Sequence, residues 1–289
     1  MSTTFNGNDH VIKMIAKPIT EKRYAELKEE IKNIEGGVKA ATIIVGDKPD
    51  SQLYVNMKHK KCEEVGICSD IISIRGDITT DELEAELEKI VGYNIYDGIL
   101  IQLPLPKHID QNYILEKFGH MLAQIAKRPM IDVDGLTQIG KLSGMVPCTP
   151  KGIMSLLDYY KIELLGKHVV IIGRSEIVGK PLAQLCQDRD ATVSVVHSRT
   201  PRGVREKLLT YADIIISCAG SPRLVQPLDV IGNKVVVDAG VTMIDGKSVG
   251  DVSERCYNLL QAYTPYTGAV GPMTILSLVE NIVKSAKNR

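Results

Sequence analysis

Residues 169–186 read VVIIGRSEIVGKPLAQLC. Four β-branched residues run into a glycine turn, Gly173-Arg-Ser-Glu-Ile-Val-Gly179, and a stretch with helical spacing follows. Gly173 permits a tight turn, Gly179 permits close helix–strand packing, and Pro181 suits a first helical turn, where no N–H bond is lost. A strand, a turn and a helix in this order make a dinucleotide site, because a helix N-terminus offers unpaired N–H groups and partial positive charge to a phosphate. The spacing is not G-x-G-x-x-G, and a βαβ crossover without a ligand is the alternative. The next strand, ATVSVVHS (191–198), helps to choose the cofactor. An NAD site usually places Asp or Glu about 20 residues past the turn, on the ribose 2′-hydroxyl. Here His197, Ser198 and Arg199 stand in that place, and Arg174 lies in the turn. Cations and a hydroxyl suit a 2′-phosphate, which favours NADP. For Arg199 the alternative is a solvated surface charge.

Outward from this stretch, strand and helix patterns alternate. Upstream, ATIIVG (41–46), SDIISIRG (69–76) and DGILIQLPLP (97–106) read as strands. Between them, SQLYVNMKHKKCEEVGI (51–67) and TTDELEAELEKIVGY (79–93) read as helices, the second opening on Thr and acidic residues as a capped helix does. Downstream of Pro147 the series restarts with a helix (149–162). DIIISCAG (213–220) and KVVVDAGV (234–241) add strands around a helix at 201–212. A long amphipathic helix (271–289) closes the chain. Repeated βαβ units imply parallel sheets. The pattern predicts a two-domain α/β protein: an N-terminal α/β domain (1–147) and a Rossmann-type NADP-binding domain with a parallel sheet (148–271).

Composition narrows the function classes. The 289 residues include 44% hydrophobic ones, enough for real cores. Lys+Arg and Asp+Glu both count 35, so the basic footprint of a nucleic-acid protein is missing. No apolar run reaches the roughly 18 residues of a membrane helix. The start, MSTTFNGNDHVIKMIAKPI, lacks the order of a secretory signal. The cysteines, Cys62, Cys68, Cys148, Cys186, Cys218 and Cys256, are scattered without a C-x-x-C pair. Buried free thiols in a reducing cytoplasm are the expectation, with no metal site.

Four further residues can meet at one edge of the first series. Tyr54 and Lys58 are four apart on a helix and share a face. Gln102 ends the strand GILIQ, and ligands of open parallel sheets bind at the strand C-termini. Asp132 and Asp134 follow in IDVDGL. Taken singly, each also reads as a helix surface, a strand end or a turn.

Together, and in order, these stretches resemble the bifunctional methylenetetrahydrofolate dehydrogenase/cyclohydrolase family. The resemblance rests on YVNMKHKKCEEVGI, DGILIQLPLP, DVDGL, PCTPKGI, GKHVVIIGRSEIVGKPLAQLC, ATVSVVHSRT, ADIIISCAG, VVVDAGV, GDV and GAVGPMT. It implies oxidation of 5,10-methylenetetrahydrofolate with NADP to the 5,10-methenyl cation, then hydrolysis to 10-formyltetrahydrofolate. By the match, Lys58 is the catalytic lysine, Tyr54 the pterin-side tyrosine, Gln102 the lysine's partner and Asp134 the pterin-binding carboxylate. Gly173, Arg174, Ser175, Gly179, His197, Ser198, Arg199 and Val241 fall on cofactor-binding stretches. Gly271 and Pro272 fall on the loop that closes over folate and nicotinamide. The resemblance therefore implies that the first domain (1–147) is the catalytic, folate-binding one, completed by the last helix (272–289), with the active-site cleft between the two domains. The resemblance also implies a homodimer, a cytoplasmic location, and neither nucleic-acid nor membrane partners. The chemistry suits these types: a partly desolvated lysine beside a cation gives up its proton more readily than usual and can act as a base.

The chain departs from the family pattern in three places. Ile131 stands where a lysine usually precedes DVDG. The stretch from DG to PCTP is short. Tyr266, Thr267 and Ala269 replace Val, Pro and Gly in TPYTGAVGPMT. An enzyme with one of the two activities, or a non-catalytic nucleotide- or folate-binding protein, is the alternative these changes keep open.

Overall fold

The computed structural model describes residues 11–289. Residues 1–10, part of the start that lacks the order of a secretory signal, lie outside the described residues. The chain opens with β1 (Ile12–Lys13), α1 (Lys17–Lys32), β2 (Lys39–Val45), α2 (Pro49–Val65) and β3 (Cys68–Ile74). Then come α3 (Thr80–Gly92), β4 (Gly98–Ile101), α4 (Gln111–Gln124), α5 (Gln138–Leu142) and α6 (Cys148–Tyr159). They are followed by β5 (His168–Ile172), α7 (Gly179–Gln187), β6 (Thr192–Val196), α8 (Arg202–Tyr211), β7 (Ile214–Ser217) and β8 (Val235–Asp238). The last elements are β9 (Val241–Ile244), β10 (Lys247–Gly250), β11 (Ala262–Tyr263) and α9 (Val270–Ala286). Two compact units result, one of Thr20–Cys148 with Ile275–Arg289, the other of Thr149–Thr274 with the chain up to Ile19.

The unit of residues 20–148 is built on a parallel three-stranded sheet, β3-β2-β4. The central strand β2 is buried from Ala40 to Val45, as a strand covered on both faces must be. α3 starts where the sequence signals it: the Thr79 hydroxyl accepts from Glu82 N–H, and the Glu82 carboxylate accepts from Thr79 N–H. Leu83, Leu87, Ile90 and Val91 give α3 one apolar stripe, and Ile114, Phe118, Met121 and Leu122 do the same for α4. Both stripes join Ile43 and Ile99 in one core. The sequence reading names no helix at α1 or α4, although Asp110 caps α4 by accepting from Asn112 and Tyr113 N–H. From residue 275 on, α9 belongs to this unit. Buried Asn281 donates to the carbonyls of Val133 (2.9 Å) and Val146 (3.0 Å), and Glu280 pairs with Arg23 (3.0 Å).

The unit of residues 149–274 has a six-stranded sheet, parallel throughout, in the order β1-β11-β8-β7-β5-β6. Val170, Ile172, Val196, Ile215 and Val236 lie in its core. Two corrections to the sequence reading arise here. The sequence pattern puts residues up to 19 in the first domain, yet β1 pairs with β11 at the edge of this second sheet. The strand read over 234–241 stops at Asp238, whose carboxylate turns back onto its own loop, and a separate antiparallel hairpin, β9–β10, begins at Val241. Among the described residues no helix is long and apolar enough to cross a membrane.

Candidate active site

In the unit of residues 20–148, α2 carries Tyr54 and Lys58 one turn apart. The buried side chains Val55, Cys62 and Val65 fix the inner face of this helix. Lys58 is 7% exposed. Its Nζ donates to Gln102 Oε1 at 3.1 Å and lies 4.0 Å from Asp134 Oδ2. Gln102 stands one residue past β4. Its N–H is bound to the Ile43 carbonyl (2.8 Å) and its Nε2 donates to the Leu103 carbonyl (2.7 Å). With the amide nitrogen so committed, the amide oxygen faces the lysine. An ammonium has three donors, so Gln102 takes one and leaves others for a substrate or water. Tyr54 is 39% exposed, and partial burial raises its phenol above the ordinary value, with the charge of Asp50 adding.

The two aspartates of IDVDGL diverge. Asp132 is buried; its Oδ2 accepts from Thr137 N–H (2.8 Å) and Oγ1 (2.7 Å), and its Oδ1 from Leu136 N–H (3.3 Å). Burial pushes its carboxyl up to about 6, and the Thr137 bonds act the other way. Asp132 ties the loop, so Asp134 alone faces Lys58. Ile131, where the family usually has lysine, is 1% exposed and belongs to the core.

In the other unit, the turn after β5 is closely packed. Gly173 has φ +126°, and a Cβ there would lie 2.7 Å from the Cys218 carbonyl oxygen. A Cβ on Gly179 would lie 2.4 Å from the Gly173 oxygen. The Ser175 hydroxyl accepts from the N–H groups of Val178 (3.2 Å) and Gly179 (3.3 Å), at the start of α7. Arg174 and Ser175 are exposed. β5 and β6 are neighbours, Ile172 opposite Val196, so Ser198 and Arg199, also exposed, emerge beside this turn. The His197 ring is turned into its own loop, where Nδ1 accepts from Arg199 N–H (3.1 Å). Val241 is 41% exposed at the start of β9. Gly271 and Pro272 lie in the first turn of α9, next to Ala269, which is fully buried. The Lys58 set and the β5 turn thus belong to different units.

None of the cysteines is in a disulfide; Cys62, Cys148, Cys186 and Cys256 are buried, Cys218 is half-buried, and Cys68, contrary to the expectation of burial, is exposed. Among the described residues no group of three or more His, Cys, Asp or Glu could hold a metal ion.

Two family models match the chain. One, described as tetrahydrofolate dehydrogenase/cyclohydrolase, catalytic domain, covers residues 14–120. The other, the NAD(P)-binding domain of the same family, covers 147–289. The chain belongs to the tetrahydrofolate dehydrogenase/cyclohydrolase family. A relative named bifunctional protein FolD from Methanosphaerula palustris is 43% identical over 278 residues, covering 94% of this chain and 95% of the relative. The crystal structure of the bifunctional FolD enzyme from Campylobacter jejuni is 40% identical, with a TM-score of 0.87, over 97% of this chain and all of that one. The Trypanosoma brucei FolD structure, complexed with NADP cofactor and inhibitor, is 31% identical, with a TM-score of 0.87, over 96% and 98% of the two chains.

The sequence analysis assigns no role to two residues of these stretches, Asp238 of VVVDAGV and Asp251 of GDV. Both are buried. An aspartate closing an apolar strand is the signal that marks Asp238.

Proposed function

We propose that this chain oxidises 5,10-methylenetetrahydrofolate to the 5,10-methenyl cation with NADP and then hydrolyses that cation to 10-formyltetrahydrofolate. The observation that carries the reading is the buried Lys58 amine held by Gln102 at 3.1 Å with Asp134 at 4.0 Å, in a chain of the dehydrogenase/cyclohydrolase family. For the cofactor, the reading rests on the β5 turn with Arg174, Ser175, Ser198 and Arg199, on the absence of a carboxylate at the end of β6, and on the NADP held by the Trypanosoma relative. NADP, when bound, takes the hydride from the methylene carbon. The substrate becomes an amidinium cation without a proton transfer, so this chain's task in that step is placement. Asp134 accepts from the pterin's amino and N–H donors, a charge-assisted contact. Tyr54 supplies a face for the ring.

Hydrolysis uses the Lys58 amine twice. Water adds to the methenyl carbon and one of its protons passes to the Lys58 amine, leaving a hydroxyl on that carbon. The bond from the carbon to N5 then breaks as the ammonium gives its proton to N5, and the hydroxyl loses its proton to solvent, leaving the formyl C=O on N10 and one proton released overall. Gln102 fixes the direction of the amine without adding charge. The reading includes a homodimer, a cytoplasmic location, folate one-carbon derivatives as partners, and neither nucleic acid nor membrane; the equal counts of acidic and basic residues support the exclusion of nucleic acid.

The test is spectrophotometric. Methenyl formation is followed with NADP and with NAD, and hydrolysis of added methenyl compound is followed separately. Both activities are expected, with NADP preferred. A folded protein that binds folate and nucleotide and turns over neither would remove the proposal, and loss of one activity would reduce it to the other.

A further inference from the structure

The C-terminal edge of the six-stranded sheet is held together by two buried carboxylates. Asp251, fully buried, accepts four hydrogen bonds: from Ser217 Oγ (2.8 Å), and from the N–H groups of Ala219 (2.8 Å), Gly220 (3.2 Å) and Ser221 (2.6 Å). These donors belong to the end of β7 and the loop after it. Asp238, at the end of β8, accepts from the N–H groups of Gly240 (3.1 Å), Asp251 (3.1 Å) and Val252 (2.9 Å). So Asp238 holds the backbone that carries Asp251, and Asp251 holds the loop 218–221. The packing interlocks. A Cβ on Gly240 would lie 2.0 Å from the Asp251 carboxyl carbon, and one on Gly250 would lie 2.1 Å from Asp238 Oδ2.

The loop 218–221 lies between two stretches that face the nucleotide in the reading above. Cys218 packs against Gly173 on one side. On the other, the Gly220 carbonyl accepts from Thr242 Oγ1 (3.1 Å), next to Val241. Three successive backbone N–H groups turned onto one carboxylate fix this loop's path. Ala219 and Gly220 are nonetheless exposed on its outer side. We infer that Asp251 is a positioning residue for NADP: it holds loop 218–221 as a wall of the nucleotide pocket between Gly173 and Val241, and Asp238 holds Asp251 in place.

The inference rests on the NADP reading, and the experiment separates the two. Asp251→Asn keeps the shape but replaces one acceptor oxygen with an NH2 group, which confronts backbone donors. Three quantities are measured on the parent and the variant: NADPH dissociation constant by fluorescence, amide exchange at 219–221 in the protein without nucleotide, and hydrolysis of methenyltetrahydrofolate without nucleotide. The expected result is NADPH binding weakened at least about 10-fold, the cost of one charge-assisted bond, with faster exchange at 219–221. Hydrolysis should stay within about twofold of the parent, since Lys58 lies in the other unit. Unchanged NADPH affinity, or hydrolysis and NADPH binding lost in equal proportion, overturns the inference. Should Asp251→Asn not fold, Ser217→Ala, which removes a single donor, carries the test with a smaller rise in dissociation constant, and no rise overturns it. A parent that fails to bind NADPH overturns the cofactor reading instead.

Discussion

Lys58 is where residue chemistry can be tested most directly. Lys58→Met keeps much of the apolar stem and removes the amine that moves protons in hydrolysis. General acid–base steps contribute about 10²–10⁴-fold. Hydrolysis should therefore fall by that order, while hydride transfer, which draws no proton from Lys58, should fall less. Both rates on one purified variant, with folding checked by its melting temperature, decide the matter: hydrolysis near the parent rate removes Lys58 from the role. Arg174 tests the cofactor reading. It is exposed in the turn after β5, so its loss should leave the fold intact. Arg174→Ala should raise the KM for NADP by roughly 10–150-fold, the value of about 1.5–3 kcal/mol for a charge-assisted bond, and barely alter that for NAD. An equal rise for both cofactors would show that the 2′-phosphate is not read there. At this scale the sequence was informative about type and less so about direction. That Asp132 turns inward and Asp134 toward Lys58 depends on Thr137 and Leu136 offering their N–H groups to Asp132. Two aspartates two residues apart give no hint of which will do so.

Elements form where local rules agree with burial. α3 is the clearest case, with a reciprocal cap at Thr79 and Glu82 and an apolar stripe over the core. Thr79→Ala should cost about 1 kcal/mol of unfolding free energy, read as a shift of the urea midpoint, with both activities unchanged because α3 carries no site residue. A midpoint equal to the parent's would mean the cap is idle. α1 is the opposite case. Its stretch KPITEKRYAELKEEIK buries only Thr20, Leu27 and Ile31, too sparse a stripe to stand out in sequence. The two-residue strands β1 and β11 carry no periodic signal at all. Their pairing, Ile12 with Ala262, joins positions about 250 apart in sequence, and only the folded sheet edge supplies it.

At the scale of the whole molecule, two expectations concern assembly and acid response. The 31.7-kDa chain should run as two copies by light scattering at micromolar concentration, and a mass of one chain would count against the homodimer. Burial pushes Asp238 up to about 7; hydrogen bonds from Val252, Asp251 and Gly240 oppose this, and the charge of Asp251 adds to it. An unfolded aspartate titrates near ~3.9, so between those values the folded chain holds more protons than the unfolded one. The contribution of this site is full below about 4 and is lost as pH rises through about 7. The stability gap between the parent and Asp238→Asn should therefore move against the parent over that window, by at most about 1.4 kcal/mol per pH unit. A gap independent of pH would refute this. The sequence by itself determined the α/β class, the two βαβ series, the turn at 173–179 and the residue types of the site. Periodicity, turn glycines and the chemistry of Lys, Gln, Asp and Arg are written locally. The resemblance already pairs Gln102 with Lys58, and the structure adds the 3.1 Å contact. Only the tertiary structure decided that β1 edges the six-stranded sheet, that Asn281 of the last helix serves the carbonyls of Val133 and Val146, and that Asp238 and Asp251 brace one sheet edge. Each depends on a polar group, backbone or side chain, finding its partner in another part of the fold, and such a pairing leaves no period to read.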